Sequence, residues 1–213
     1  MQITSVHKRS NFKNYVLLLL LILPLCFFST AQKSKTDFDY LRIKGRKIIS
    51  THAAQYQIVI KRPFEFIGEF HHQPVYGEKQ FNVSFAAFSN KEKLIMIHAE
   101  THSDGSGGLD YSNLEPAELT GLKFFSREQC AAAEDAAELN ENPQIKFLRE
   151  KGFDIKPPFY LKQYFTTDPK GISELVISYG KPVASCDGNV VTTEFKKQIE
   201  REAGKNLQLK KLS

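Results

Sequence analysis

Period-two alternation of apolar residues constrains this chain more than any other feature. Tyr56, Ile58 and Ile60 alternate with Gln57, Val59 and Lys61 until Pro63 stops the run. Phe64, Phe66, Gly68 and Phe70 share one face of the next run, and Phe81, Val83, Phe85 and Ala87 share one face of the run after it. The polar turn Ser89-Asn90-Lys91-Glu92-Lys93 leads into the apolar run 94–101, which marks a hairpin. Leu41, Ile43, Ile48 and Ile49 flank Gly45 and predict a first strand or strand pair. Strands joined by such short turns pair antiparallel, because a parallel crossover needs a dozen residues or more. The pattern therefore argues for an antiparallel sheet rather than βαβ crossovers.

Beyond residue 102 the period changes. Residues 103–108 are a Gly- and Ser-rich loop. Ser126-Arg127-Glu128-Gln129 has the form of a capping box, and the Ala-rich stretch 131–139 has high helix propensity, so a helix is expected there. Asn142-Pro143 predicts an N-cap and a first-turn proline for a second helix running to Glu150, with Gly152 as its stop. Residues 160–167 and 172–179 form a second hairpin around Asp168-Pro169-Lys170-Gly171. Residues 183–186 read as a short extended piece, and Thr192 or Thr193 caps a last amphipathic helix with Phe195 and Ile199 inward. The expected fold is α+β: a mainly antiparallel sheet of about six to seven strands with two or three packed helices, in one domain covering residues 32–213. Seventeen Phe and eight Tyr, with no Trp, supply much of its core.

Residues 1–31 read as a secretory signal peptide. Lys8, Arg9 and Lys13 precede the apolar run 15–28, and Ser29-Thr30-Ala31 follows as a cleavage site. The run of 14 residues would span about 21 Å as a helix, short of a hydrocarbon core of about 30 Å, which favours cleavage over retention as an anchor. No stable membrane span is expected after cleavage. Loss of the three basic residues lowers the formal charge from +5 to +2, which makes no case for a nucleic-acid partner. Lys205, Lys210 and Lys211 read as a solvated C-terminal tail. Cys26 falls in the discarded run. Cys130 and Cys186 remain, and in an oxidising secreted or periplasmic setting they are expected to pair. Asn82-Val83-Ser84 matches a glycosylation acceptor, relevant only in a eukaryotic source.

The strand beginning at Leu94 carries the most suggestive chemistry. Alternation places Leu94, Met96, His98, Glu100 and His102 on one face and Ile95, Ile97, Ala99 and Thr101 on the other. Imidazole and carboxylate groups in one row suit zinc or another divalent transition metal, and His71 or His72 would supply a further ligand if the strands pair suitably. Against this, His-x-Glu-x-His is not a diagnostic signature, and positions i and i+4 on a flat strand do not easily converge. The bland alternative is a polar strand end entering a solvated loop. Asp104-Gly105-Ser106-Gly107-Gly108 lacks the residue order of the chymotrypsin-like Gly-Asp-Ser-Gly-Gly, and no partner histidine motif accompanies it. No Gly-x-Gly-x-x-Gly, P-loop, Cys-x-x-Cys or Gly-x-Ser-x-Gly occurs. Phe64, Phe66, Phe70, Phe81, Phe85 and Phe88 read as core, with an apolar-ligand pocket as the alternative.

These features point to an exported, non-enzymatic binding or interaction domain whose partner is an unknown protein or small molecule. The alternatives are a metal-dependent hydrolase using the His98 strand and a carrier of a small apolar ligand. No cofactor is firmly implied, and a divalent metal is the one these residues would suit.

Overall fold

Twelve strands among the described residues form two antiparallel sheets, and short helices close the layers outside them. The computed structural model describes residues 38–212, so the expected signal peptide lies outside the described residues. The strands are β1 (Leu41–Lys44), β2 (Lys47–Ser50), β3 (Tyr56–Ile60), β4 (Glu65–His72), β5 (Val75–Tyr76), β6 (Lys79–Asn90), β7 (Lys93–His102), β8 (Glu115–Leu119), β9 (Leu122–Ala131), β10 (Phe159–Thr167), β11 (Ser173–Pro182) and β12 (Leu207–Lys211). The helices are α1 (Ala136–Glu141), α2 (Pro143–Glu150) and α3 (Thr193–Asn206). The main sheet runs β4-β6-β7-β11-β10-β9-β8 with β5 added on β6, and the small sheet runs β1-β2-β3-β12. The α+β, mainly antiparallel fold is therefore as expected.

The main sheet buries both faces. One face packs Phe88, Ile95, Ile97, Leu175, Ile177 and Tyr179 against Ile48, Ile58 and Ile60 of the small sheet and against Ile199 and Ala203 of α3. The other face packs Phe85, Ala87, Leu94 and Met96 under Ile145, Phe147 and Leu148 of α2. Asn142 caps α2 by accepting from the Gln144 and Ile145 N–H groups, with Pro143 in the first turn. Thr192 caps α3 by accepting from the Phe195 N–H. Asp168 holds the β10–β11 turn by accepting from the Lys170, Ile172 and Ser173 N–H groups.

Several local readings are corrected. Ser126-Arg127-Glu128-Gln129 lies inside β9, and helix begins only after Ala131, as one 3-10 turn (Ala133–Asp135) and the short α1. The ladder to β10 overrides the capping pattern, since β10 pairs with all four residues while β8 reaches only Ser126. The turn Thr120-Gly121, both at positive φ, closes the unexpected β8–β9 hairpin. Residues 183–186 form no strand. The C-terminal segment is strand β12 rather than a solvated tail, because Leu207 and Leu209 are buried where it pairs with β3. Finally, the phenylalanines do not share one face. Odd spacing puts Phe85 and Phe88 on opposite faces of β6, and a register shift between Phe66 and Gly68 interrupts the alternation on β4: Phe64 and Phe88 enter the inter-sheet core, Phe70 and Phe85 face α2, Phe81 is buried beside His102, and Phe66 is exposed.

Candidate functional site

The face of the main sheet that carries α2 turns polar toward the far end of β7. His98, Glu100 and His102 project there as the alternation requires, and Glu174 of β11 stands directly opposite Glu100 in the ladder. All four residues are more than nine-tenths buried. His98 Nδ1 lies 3.0 Å from a Glu100 carboxylate oxygen, with the ring nitrogen as donor. His102 Nδ1 lies 2.9 Å from the Ser106 hydroxyl. Nε2 of His98 and of His102 are buried without a partner. Each ring sits edge-on to a phenylalanine: His98 to Phe85 at 5.0 Å and His102 to Phe81 at 4.5 Å.

Residues 103–114 fold back over this row. The Tyr111 hydroxyl donates to Glu174, and its ring packs 4.8 Å from that of Phe165. Lys79 Nζ donates to the Gly107 carbonyl at 3.0 Å, and the Leu109 N–H to the Gly171 carbonyl at 3.0 Å. Two glycines permit that approach. A Cβ on Gly107 would lie 2.6 Å from the Lys170 carbonyl oxygen, and one on Gly171, at φ +61°, would lie 2.8 Å from that of Leu109.

Burial pushes the Glu174 carboxyl up to about 8, and the Glu100 charge opposite it pushes the same way. The Tyr111 hydroxyl and the Arg127 charge oppose this rise without cancelling it. Burial, followed by the Glu174 charge, raises the Tyr111 phenol. On the other side of β11 the Glu174 carbonyl accepts from His52 Nε2 at 2.6 Å, and burial lowers that imidazole so that it stays neutral near pH 7.

The structure separates the proposed metal ligands. His72 shares the face of His98 and Glu100, but its ring stacks on Phe70 at 5.0 Å and its Nε2 lies 3.2 Å from the Gln144 amide nitrogen. His71 points to the opposite face, where Nδ1 meets the Ser84 hydroxyl at 3.3 Å. Neighbours on one strand cannot both point inward, so at most one of the two joins the row. β6 and β7 pair without a bulge, so nothing brings His102 back toward His98 across about 13 Å of strand. Among the described residues no group of three or more His, Cys, Asp or Glu side chains is arranged to hold a metal ion.

Sequence reasoning misses two members of the cluster. Glu174 is a charged residue in an otherwise apolar run, an anomaly that could have flagged it. Tyr111 sits in an irregular loop and carries no comparable signal. The expected disulfide is present, with Cys130 and Cys186 at a Cα separation of 5.7 Å across 56 residues. Cys130 lies on β9 rather than on a helix, so the bond ties the main sheet to the segment preceding α3. No helix among the described residues is long and apolar enough to cross a membrane. No family model, curated protein or solved structure matches this chain.

Proposed function

We propose that this is an exported binding or interaction domain that works without catalysis. The observation that carries the reading is how the polar row is used. His102 engages Ser106 and Glu174 engages Tyr111, which fastens residues 103–114 to the sheet, while His98 engages Glu100 on its own strand, so the row does not converge on a shared point. The disulfide supports export, since such bonds persist in oxidising compartments. N-terminal sequencing of the exported product should begin at Gln32; an intact Met1 chain in the membrane would overturn export.

A second reading, a divalent-metal hydrolase using His98, Glu100, His102 and His72, draws support from the two unpartnered Nε2 atoms. Elemental analysis, zinc titration and a panel of ester, peptide and phosphoester substrates separate the readings. We expect no stoichiometric metal and no turnover. Zinc-dependent turnover lost in a His98→Ala, His102→Ala variant would replace the binding reading with the hydrolase.

A further inference from the structure

We propose that the open edge of β9 takes up a short, extended, cationic segment of a partner protein as an added strand. This rests on the binding-domain reading and gives the partner a chemistry. β8 ends at Glu115, opposite Ser126, while β9 continues to Ala131. Arg127 to Ala131 therefore pair with β10 on one side and with no strand on the other. The closing pair of a two-residue hairpin exchanges hydrogen bonds, so Leu122, Phe124 and Ser126 aim their main-chain groups at β8. Glu128 and Cys130 continue that series and present N–H and C=O groups to the vacant position. Pro116, opposite Phe125, fits the same parity, because its missing N–H falls on the outer side of β8. The vacant stretch is about 14 Å long, room for a five-residue strand.

Two cavities follow one another along this edge. One, of about 430 Å³, is lined by Glu115, Ser126, Arg127, Lys162 and Lys196; the next, of about 410 Å³, by Gln129, Ala131, Asp135, Glu138 and Asn142. Alternate side chains of an added strand would enter flanking space of this kind, which is how such additions gain specificity. The two ends differ in charge. At the first, Lys162 bridges Glu128 and Glu200 at 3.1 Å each, and Lys196 holds Glu128 at 2.6 Å, so its lysines are already neutralised. At the second, Asp135 and Glu138 line the groove with no ion-pair partner among the described residues; Asp135 is half-buried and accepts from the Ala132 N–H at 2.7 Å, while Glu138 is exposed and Glu134 adds a further exposed carboxylate. A strand collinear with β8 runs antiparallel to β9 and so enters at the acidic end. Its N-terminal residues should therefore carry Lys or Arg.

The test uses the disulfide-bonded protein and the probe acetyl-Lys-Lys-Val-Thr-Val-Thr-amide. Amide hydrogen exchange should slow by about tenfold or more at Glu128 and Cys130 when the probe binds. A Glu-Glu twin of the probe should bind roughly tenfold more weakly, and alternate N-methylation should abolish binding of the in-register form. Glu128→Pro, which removes an edge-facing donor, should weaken binding, whereas Glu128→Asp, which keeps both the donor and a carboxylate beside Lys162 and Lys196, should not. Absence of protection at these two amides up to about 1 mM probe overturns the proposal, as does equal affinity for the twin. Protection that instead rises with protein concentration alone would assign the edge to a second copy of the chain and also overturn it. Protection confined to another surface would refute the edge site while leaving the binding-domain reading intact; zinc-dependent turnover would refute that reading whatever happens at β9.

Discussion

On β7, Ile95, Ile97 and Ala99 leave the strand on one side, and His98, Glu100 and His102 leave it on the other. The first set meets a second sheet and a helix. The second meets a loop. Closure by the small sheet needs only apolar area, which is non-directional and insensitive to pH. Closure by residues 103–114 needs directed partners, because a buried carboxylate or imidazole is costly unless hydrogen-bonded. One strand therefore shows two ways of excluding water. The polar way makes the burial of Glu174 conditional on its proton.

Cutting into the apolar side puts this contrast under the greatest strain. Phe88→Ala removes a fully buried ring between the sheets and should cost about 3–5 kcal/mol in urea unfolding, equally across pH. A loss below about 1 kcal/mol would mean that the inter-sheet layer is not the main source of stability.

The next effect belongs to Glu174 and depends on pH. Its folded value, raised to about 8, exceeds its ordinary value of 4.5, so the folded state keeps a proton that the unfolded chain releases. The resulting stability is full below about 4.5 and is lost as pH rises toward about 8, with a slope of up to about 1.4 kcal/mol per pH unit. Glu174→Gln removes the ionisation, so the variant should flatten this decline and exceed the parent protein in stability above that range. Parallel pH profiles for the two proteins would show that Glu174 titrates as an ordinary carboxylate.

A milder change probes the polar side alone. Tyr111→Phe deletes the hydroxyl that donates to Glu174 and should cost about 1 kcal/mol. Exchange should accelerate at the Leu109 amide, which bonds the Gly171 carbonyl, while the Ile97 amide in the sheet stays protected. Unchanged exchange at Leu109 would mean that the glycine contacts alone hold the loop.

Where a local pattern and its tertiary environment agree, the elements are legible from residues alone. Tyr56–Ile60, the β6–β7 hairpin, the Asn142-Pro143 start of α2 and the Thr192 cap of α3 are such cases. β8 and β9 are not, since Ser126-Arg127-Glu128-Gln129 satisfies a helix-start pattern that only pairing with β10 along all four residues overrules. The facing of His98, Glu100 and His102 follows from alternation. The identity of what they meet does not. Glu174 comes from β11 and Tyr111 from the loop after β7, and alternation within β7 says nothing about either.

Residues close together in the chain were enough to set the strand period, the short turns that make the pairing antiparallel and the helix caps of α2 and α3. Counting alone left Cys130 and Cys186 available for one bond. Local sterics and composition suffice for all of these. The folded chain had to settle the rest: that the strands divide into two sheets, that His72 rather than His71 shares the face of the row, that Glu174 faces Glu100 and that β9 outruns β8. Those outcomes depend on strand order and register. Register is set by which faces can be buried together, a property of contacts between distant segments that no local window contains.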